Sequence, residues 1–206
     1  MRNIHSQESG RSMIEMLGVL AIVGVLSVGG IAGYTQAMNK FKVTKTTDQI
    51  QTLFQNIRTL TASQRNMDLV NNPSLMHKLG ALTDEMCQTS TCTKSTLVNP
   101  YGGSILMGTY DGSTSKKVYI AYNDLPSSAC VSLATQSWGD SASGLDAIQT
   151  KNTAQAAFAS TTYPTSKDSA GEFTMNTKTD ENPISLSNAS KGCGDTGTSS
   201  ITFFLR

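Results

Sequence analysis

Residues 16–34 contain no charged side chain, and this run constrains the fold more than any other feature of the sequence. As an α-helix, a run of this length extends about 28 Å, close to the roughly 30 Å thickness of a bilayer core. The run therefore predicts a single membrane-spanning helix. Glu15 stands at its edge as the one carboxylate of residues 9–34. A carboxylate in hydrocarbon needs a partner, so the partner of Glu15 bears on function.

The ten residues that begin the chain, MRNIHSQESG, are polar, and the apolar run follows almost at once. An ordinary secretory signal has its small-residue cleavage site after the apolar core, whereas here the small residue Gly10 precedes it. Cleavage after Gly10 would keep the hydrophobic helix on the mature chain.

A second apolar pattern follows the span. Its residues recur with the spacing of one face of an α-helix: Ile50, Leu53, Phe54, Ile57 and Leu60. Since no proline separates this pattern from the span, we predict one helix from about Arg11 to about Arg65, roughly 80 Å long.

Five glycines interrupt the apolar half of this helix, at positions 18, 24, 29, 30 and 33. Each glycine inside a helix costs about 0.8–1 kcal/mol relative to alanine, so Gly24, Gly29 and Gly30 make the helix easy to unwind. Gly29 and Gly33 also form a pair suited to close contact between helices in a membrane. The sequence is compatible with both uses.

The remainder of the chain, residues 67–206, has a different composition. Ser, Thr, Asn and Gly dominate it, as is typical of secreted, loop-rich β structure. Nine Lys and Arg residues stand against twelve Asp and Glu residues, which gives a net charge of −3. A mildly acidic domain binds phosphate poorly, so we expect no nucleic-acid partner.

All four cysteines, at positions 87, 92, 130 and 193, follow the span. An even number on one side of a membrane indicates an oxidising compartment and two disulfides. Of the three possible pairings we favour Cys87–Cys92 with Cys130–Cys193. A zinc site at Cys87 and Cys92 is disfavoured because the sequence has no second close pair of ligands.

Short patterns predict an α+β domain with an antiparallel sheet. ILMGTY at 105–110, KVYIAY at 117–122 and ITFFLR at 201–206 have the composition of strands. Residues 74–86 predict a short helix, and residues 125–135 a second one capped by Ser127 or Ser128. Residues 139–182 are weakly patterned.

Catalytic signatures are not found in the sequence. It lacks the GxSxG, HExxH, P-loop and GxGxxG patterns, and Asp84 and Glu85 are adjacent, so they point in different directions. Cys87 and Cys92 are too far apart for a Cys-x-x-Cys redox motif. We therefore expect no enzyme activity, no cofactor and no metal site.

Gly10, Glu15 and the apolar run together resemble the N-terminus of a type IV prepilin. The sequences NPYGG, LPSSACVSLAT, the late Cys193 and the terminal ITFFLR are similar, in order, to the head of bundle-forming type IVb pilins. The resemblance implies cleavage by a prepilin peptidase between Gly10 and Arg11, and a C-terminal disulfide region closed by two distant cysteines. It departs from the family at Arg11, where an apolar first residue is usual, and in Cys87 and Cys92, which are additional.

The resemblance implies four segments: a leader at 1–10, a transmembrane and assembly helix at 11–34, the amphipathic half of that helix at 35–66, and a head at 67–206. It also implies a precursor in the bacterial inner membrane that a membrane machine assembles into an extracellular filament of identical subunits. Adhesion to host or neighbouring cells, or aggregation, is the expected role. Glu15 would pair either with Arg11 of its own helix or with the N-terminal ammonium of a neighbouring subunit.

Two other functions remain alternatives. A minor pilin or a secretion-system pseudopilin would share this N-terminus. A single-span membrane receptor or anchor would keep residues 1–10 and form no polymer.

Overall fold

A computed structural model describes residues 9–62, 67–110, 117–139, 143–155, 167–169, 171–177, 180, 183–195 and 197–206, with side chains from Met13 onward. The chain divides into two compact units, Met1–Phe41 and Lys42–Arg206. The second unit contains the sheet and is called the head below.

Helix α1 spans Ser9–Thr61 without a break and continues from the first unit into the second. This confirms one long helix, and the predicted end near Arg65 falls outside the described residues. Ile50, Leu53, Phe54 and Ile57 are at most 5% exposed, as the helical spacing predicts. Leu60 packs against them and is half-buried.

The segment after α1 differs from its prediction. Instead of one helix over 74–86, the structure has a 3-10 helix at Asp68–Asn71, α2 at Pro73–Lys78 and a 3-10 helix at Asp84–Met86. The side chain of Asn72 caps α2 by accepting from the Leu75 N–H. Gly80 has φ +75°, a left-handed conformation that ends the helix early.

Six antiparallel strands form the sheet of the head. They are β1 Ile105–Tyr110, β2 Lys117–Pro126, β3 Leu145–Lys151, β4 Lys167–Ser169, β5 Glu172–Asn176 and β6 Thr198–Leu205, in the spatial order β1-β2-β6-β3-β5-β4. Each pair is antiparallel, which confirms the α+β class and the strands predicted at 105–110, 117–122 and 201–206. The last strand in sequence is therefore central in the sheet.

The two faces of the sheet carry separate apolar clusters, because neighbouring residues of a strand point to opposite faces. Phe203 packs beneath α1, with its ring 5.3 Å from Phe54 and 5.0 Å from Trp138. On the other face Phe204 meets Tyr110 at 5.3 Å. Tyr122 is fully buried, and this burial raises the pKa of its phenol well above the ordinary value.

Helix α3 spans Ser127–Ala134, and α4, which the sequence did not predict, spans Leu186–Cys193. The predicted serine cap of α3 is wrong: the N-cap is Pro126, and no side chain caps the helix. Ser127 Oγ instead donates to the Cys193 carbonyl at 3.4 Å. The hydroxyl is therefore used to join α3 to the end of α4.

Two disulfides are present, with the pairing expected from the sequence. Cys87–Cys92 closes a short surface loop, and Cys130–Cys193 links α3 to α4 with a Cα–Cα distance of 5.8 Å. Cys130 and Cys193 are fully buried.

The two disulfides should differ in importance, because they close loops of very different size. Their sequence separations are 63 for Cys130–Cys193 and 5 for Cys87–Cys92. In the chain-entropy model these loops restrict the unfolded chain by about 4 and about 2 kcal/mol. A domain of ordinary stability has roughly 5–15 kcal/mol. We expect Cys130→Ser or Cys193→Ser to cause degradation of the subunit, whereas Cys87→Ser with Cys92→Ser only lowers thermal stability.

Immunoblots of cell fractions and thermal denaturation of the purified full chain measure these effects. The Cys87/Cys92 double variant is the matched control. Equal loss of protein in both variants would contradict the argument from loop size.

Candidate assembly surface on the N-terminal helix

Among the described residues of its own unit, none covers the apolar part of α1. Twelve large apolar side chains between Met13 and Ile31 are each more than half exposed, including Ile14 at 76% and Leu26 at 68%. Covering this many side chains is worth on the order of 20 kcal/mol, more than the whole stability of a typical domain. The surface therefore needs lipid or other apolar helices around it.

Among the described residues, one helix is long and apolar enough to cross a membrane. Its best window has a mean hydropathy of 2.2 and no buried residue. The length and composition fit the span predicted at 16–34.

Glu15 lies in the first described turns of this surface. At about 100° per residue, Glu15, Gly18, Gly29 and Gly33 fall within roughly 60° on one side of the helix. This alignment follows from the residue numbers alone, and it is not among the patterns used to predict the site. The proposed local pairing with Arg11 lies outside the described side chains.

The five glycines of this surface have no close neighbour among the residues that the structure describes. A Cβ added at Gly18, Gly24, Gly29, Gly30 or Gly33 would meet no heavy atom within 4 Å. By contrast, a Cβ at Gly192 in the head would lie 2.9 Å from Thr150 Cβ and 3.0 Å from Phe173 Cβ. The reason for glycine in the span therefore lies in helix flexibility or in contacts with another molecule.

Two hydroxyl side chains bond back to the helix in the same stretch. Ser27 Oγ donates to the Val23 carbonyl at 2.7 Å, and Thr35 Oγ1 donates to the Ala32 carbonyl at 2.9 Å. Such bonds compete with the backbone ladder and weaken a helix slightly. They add to the effect of the glycines.

Inside the head, polar contacts as well as apolar packing hold the C-terminal part of α1 in place. Lys45 Nζ lies 2.7 Å from Glu85 Oε2, and Asn56 Nδ2 donates to the Ala81 carbonyl at 3.1 Å. Lys42 Nζ stands 5.4 Å from the ring centroid of Tyr101, whose pKa is raised by burial. These contacts fix residues 42–56 of α1 against the rest of the head.

The other candidate groups are engaged separately. His77 Nε2 lies 2.7 Å from Asp84 Oδ1, while Glu85 pairs with Lys45. Asp84 and Glu85 therefore do not act as a carboxylate pair. The described part of the chain holds no cluster of three His, Cys, Asp or Glu side chains suited to a metal ion, and all four cysteines are in disulfides.

Comparisons with known proteins agree with this architecture. The sequence model of the Bundlin family matches residues 35–199. Two relatives are described as the major structural subunit of the bundle-forming pilus, from Escherichia coli O111:H- and from Escherichia coli O127:H6 (strain E2348/69 / EPEC). Each is 26% identical over 201 residues, which is 97% of this chain and 95% of the relative.

Among solved structures, TcpA, a type IV pilin from the Vibrio cholerae El Tor biotype, matches with a TM-score of 0.52. The match covers 80% of this chain and 99% of that chain at 16% identity, and so shows a shared fold. Because the family model covers well over half of the 206 residues, the chain belongs to the Bundlin family, and its fold is that of a type IV pilin.

Proposed function

We propose that this pilin is the structural subunit of an extracellular filament, assembled through the apolar half of α1. The observation that carries the proposal is the exposure of every described side chain from Met13 to Tyr34. Relatives named as the major subunit of a bundle-forming pilus support a major subunit over a minor pilin or a pseudopilin. Electron microscopy of cells with and without the gene tests it, and filaments that persist without the gene would refute it.

The proposed life cycle follows the four segments. A prepilin peptidase removes the leader, residues 1–10, and the span at 11–34 holds the precursor in the inner membrane. Assembly machinery then moves the span from lipid into a bundle of neighbouring spans. The amphipathic half at 35–66 continues into residues 67–206, and this part of the head stays on the filament surface. There it contacts host or neighbouring cells in adhesion or aggregation.

Glu15 gives the assembly step a direction that hydrophobicity alone does not supply. Transfer of the span from lipid to a helix bundle is near neutral for apolar burial, so packing and polar contacts decide the outcome. Two opposite charges attract strongly where little water screens them. We place the Glu15 carboxylate against the N-terminal ammonium of a neighbouring subunit, in exchange for a pairing with Arg11 in the membrane.

No catalytic role is part of this proposal, since the family is one of structural pilins. We likewise propose no cofactor, metal ion or nucleic-acid partner. The single-span receptor remains distinguishable, because it keeps residues 1–10.

Replacing Gly10 by phenylalanine should leave the leader attached and the protein in the inner membrane, because the peptidase needs a small residue before the scissile bond. Intact-mass analysis of membrane and surface fractions measures this. His5→Ala, in the same leader, is the matched control and should be processed normally. A mature wild-type chain that begins anywhere but Arg11 would contradict the cleavage site.

Replacing Glu15 by valine should abolish filaments or make them rare while the protein stays membrane-inserted, because the change removes a charge that the bilayer disfavours. Filament yield per cell, by electron microscopy of sheared material, is the measurement. Glu15→Asp keeps the charge and should retain more filaments than Glu15→Val. Normal yield from Glu15→Val, with wild-type protein absent, would refute the assembly role.

The triple change Gly24→Ala, Gly29→Ala and Gly30→Ala should stabilise the helix by roughly 2–3 kcal/mol, since each site has open space. In the wild-type filament we expect an unwound stretch around these glycines that lets the fibre extend under load. The triple variant should stay helical there and extend less. Cryo-electron microscopy and force extension measure both effects, and a continuous wild-type helix from Arg11 through Thr61 would rule out the unwinding.

A further inference from the structure

A cavity of ≈ 530 Å³ lies in the head between α1 and the segment before the sheet. Lys45, Asp48, Gln49 and Thr52 line one wall, and their spacing of i, i+3, i+4 and i+7 places them on one face of the helix. Residues 83–86 form the opposite wall. The ion pair of Lys45 and Glu85, at 2.7 Å, joins the two walls.

The cavity is acidic. Three carboxylates line it, those of Asp48, Asp84 and Glu85, against the single ammonium of Lys45. Glu85 forms an ion pair with Lys45, and the Asp84 carboxylate lies within hydrogen-bond distance of His77 Nε2. Asp48 is exposed, and no ion pair joins it to another residue that the structure describes. The Asp48 carboxylate is therefore available to form an ion pair with a cationic group.

Gln49 gives a second, independent indication of a ligand. The residue is 8% exposed, and its Oε1 atom has no hydrogen-bond partner among the described residues. Buried polar atoms in proteins nearly always have a partner. A carbonyl oxygen accepts hydrogen bonds, so the missing partner is a donor. A positive charge and several N–H donors together describe a guanidinium or an ammonium group.

The head carries a surface of the opposite sign. Lys117 Nζ and Arg206 Nε lie 3.8 and 3.6 Å from the buried carboxylate of Asp146. The Arg58 guanidinium is close by: a Cβ at Gly144 would lie 3.5 Å from Arg58 Nη2 and 3.4 Å from the Arg206 carbonyl oxygen. Two cations thus flank the Asp146 carboxylate, and the Arg58 guanidinium lies near the Gly144 backbone beside them. Arg58 is exposed and forms no ion pair with any residue in the described ranges.

A molecule cannot fill its own cavity with this arginine. Arg58 lies roughly 14 Å further along α1 than the centre of the cavity wall, and about 130° around the helix axis from it. The contact therefore joins two copies through different surfaces. A repeated contact of this heterologous type generates a ring or an open helical filament.

We propose that the cavity receives the Arg58 guanidinium of a second copy of this chain, paired with Asp48 and donating to Gln49 Oε1. The proposal rests on the proposed function, because it specifies a head contact between subunits of the filament. With parallel helices, the contact requires an axial stagger of roughly 14 Å between the two copies, adjusted by the reach of the side chains.

Charge reversal in the full chain tests the pairing. Asp48→Lys and Arg58→Glu should each lower filament yield at least about fivefold, because each places like charges together. Co-expression of the two single variants restores opposite charges at every heterotypic contact and should recover most of the yield. Lys94→Glu is the matched control: it changes the charge as Arg58→Glu does, at an exposed residue outside both surfaces, and should leave the yield unchanged.

Gln49→Met separates binding from folding. The change keeps the approximate volume and removes a buried amide whose Oε1 has no hydrogen-bond partner among the described residues, so the melting temperature of the full chain should not fall. Filament yield should fall nonetheless. A lower melting temperature together with normal yield would assign Gln49 to folding and overturn its part in the contact.

The outcomes separate this proposal from the proposed function. Wild-type filaments with normal yields from both single reversals would overturn the cavity contact and leave the function standing. Loss in the single variants without recovery on co-expression, while disulfides and protein levels stay normal, would overturn the pairing of Asp48 with Arg58. A wild-type chain that makes no filaments would overturn both.

Discussion

The exposed apolar half of α1 is the constraint on which the rest of the molecule depends. Twelve large side chains between Met13 and Ile31 cannot remain in water, and no described residue of that unit covers them. Lipid and a bundle of like helices are the two environments that satisfy such a surface. Both bury apolar side chains equally well, so hydrophobicity keeps the span out of water but does not choose between membrane and filament.

The head solves a different problem, which is to hold the second half of the same helix. Phe54 packs its ring on Trp138 and Phe203, and Phe203 belongs to the central strand β6. The disulfide between Cys130 and Cys193 fixes α3 against α4. Because α1 is continuous, a pulling force on the span would be transmitted along the helix to its C-terminal turns, which are packed on this core. Gly24, Gly29 and Gly30 lie outside that fixed part, so the proposed extension would occur away from the residues packed on the sheet.

The sequence predicted the features that depend on a strong local pattern. The long helix, the strands at 105–110, 117–122 and 201–206, and the disulfide pairing agree with the structure. Strand β3 was missed because six of its seven positions are buried, so its polar residues, such as Gln149, break the usual alternation. Gln149 is stabilised by tertiary contacts, since its Nε2 donates to Glu172 and Thr174. No local pattern encodes such contacts.

The residues of the candidate sites also differ in whether a local sequence pattern predicts them. Glu15 and the glycines of the span were identified from position and composition, whereas the cavity was not, because its second wall at 83–86 meets α1 only in the folded head. The serine cap predicted for α3 failed for a related reason: Ser127 bonds to Cys193, which is distant in sequence. Helix ends and cavities are decided by partners from elsewhere in the chain.

Two charge contacts between subunits would act under different physical conditions. Glu15 belongs to an apolar surface, and once that surface is covered its pairing acts in a medium of low dielectric constant, where an unpaired carboxylate is strongly unfavourable. Asp48 and Arg58 are exposed, and an exposed ion pair contributes only about 0–1 kcal/mol and weakens in salt. In the proposed filament the first contact would therefore decide whether a subunit enters the bundle. The second contact contributes too little energy to drive entry. In a wrong register, however, it would place like charges together and disfavour that register, and the same contact would repeat at every subunit. We propose that its effect is to select one stagger among the many that an apolar, poorly specific helix surface would otherwise allow.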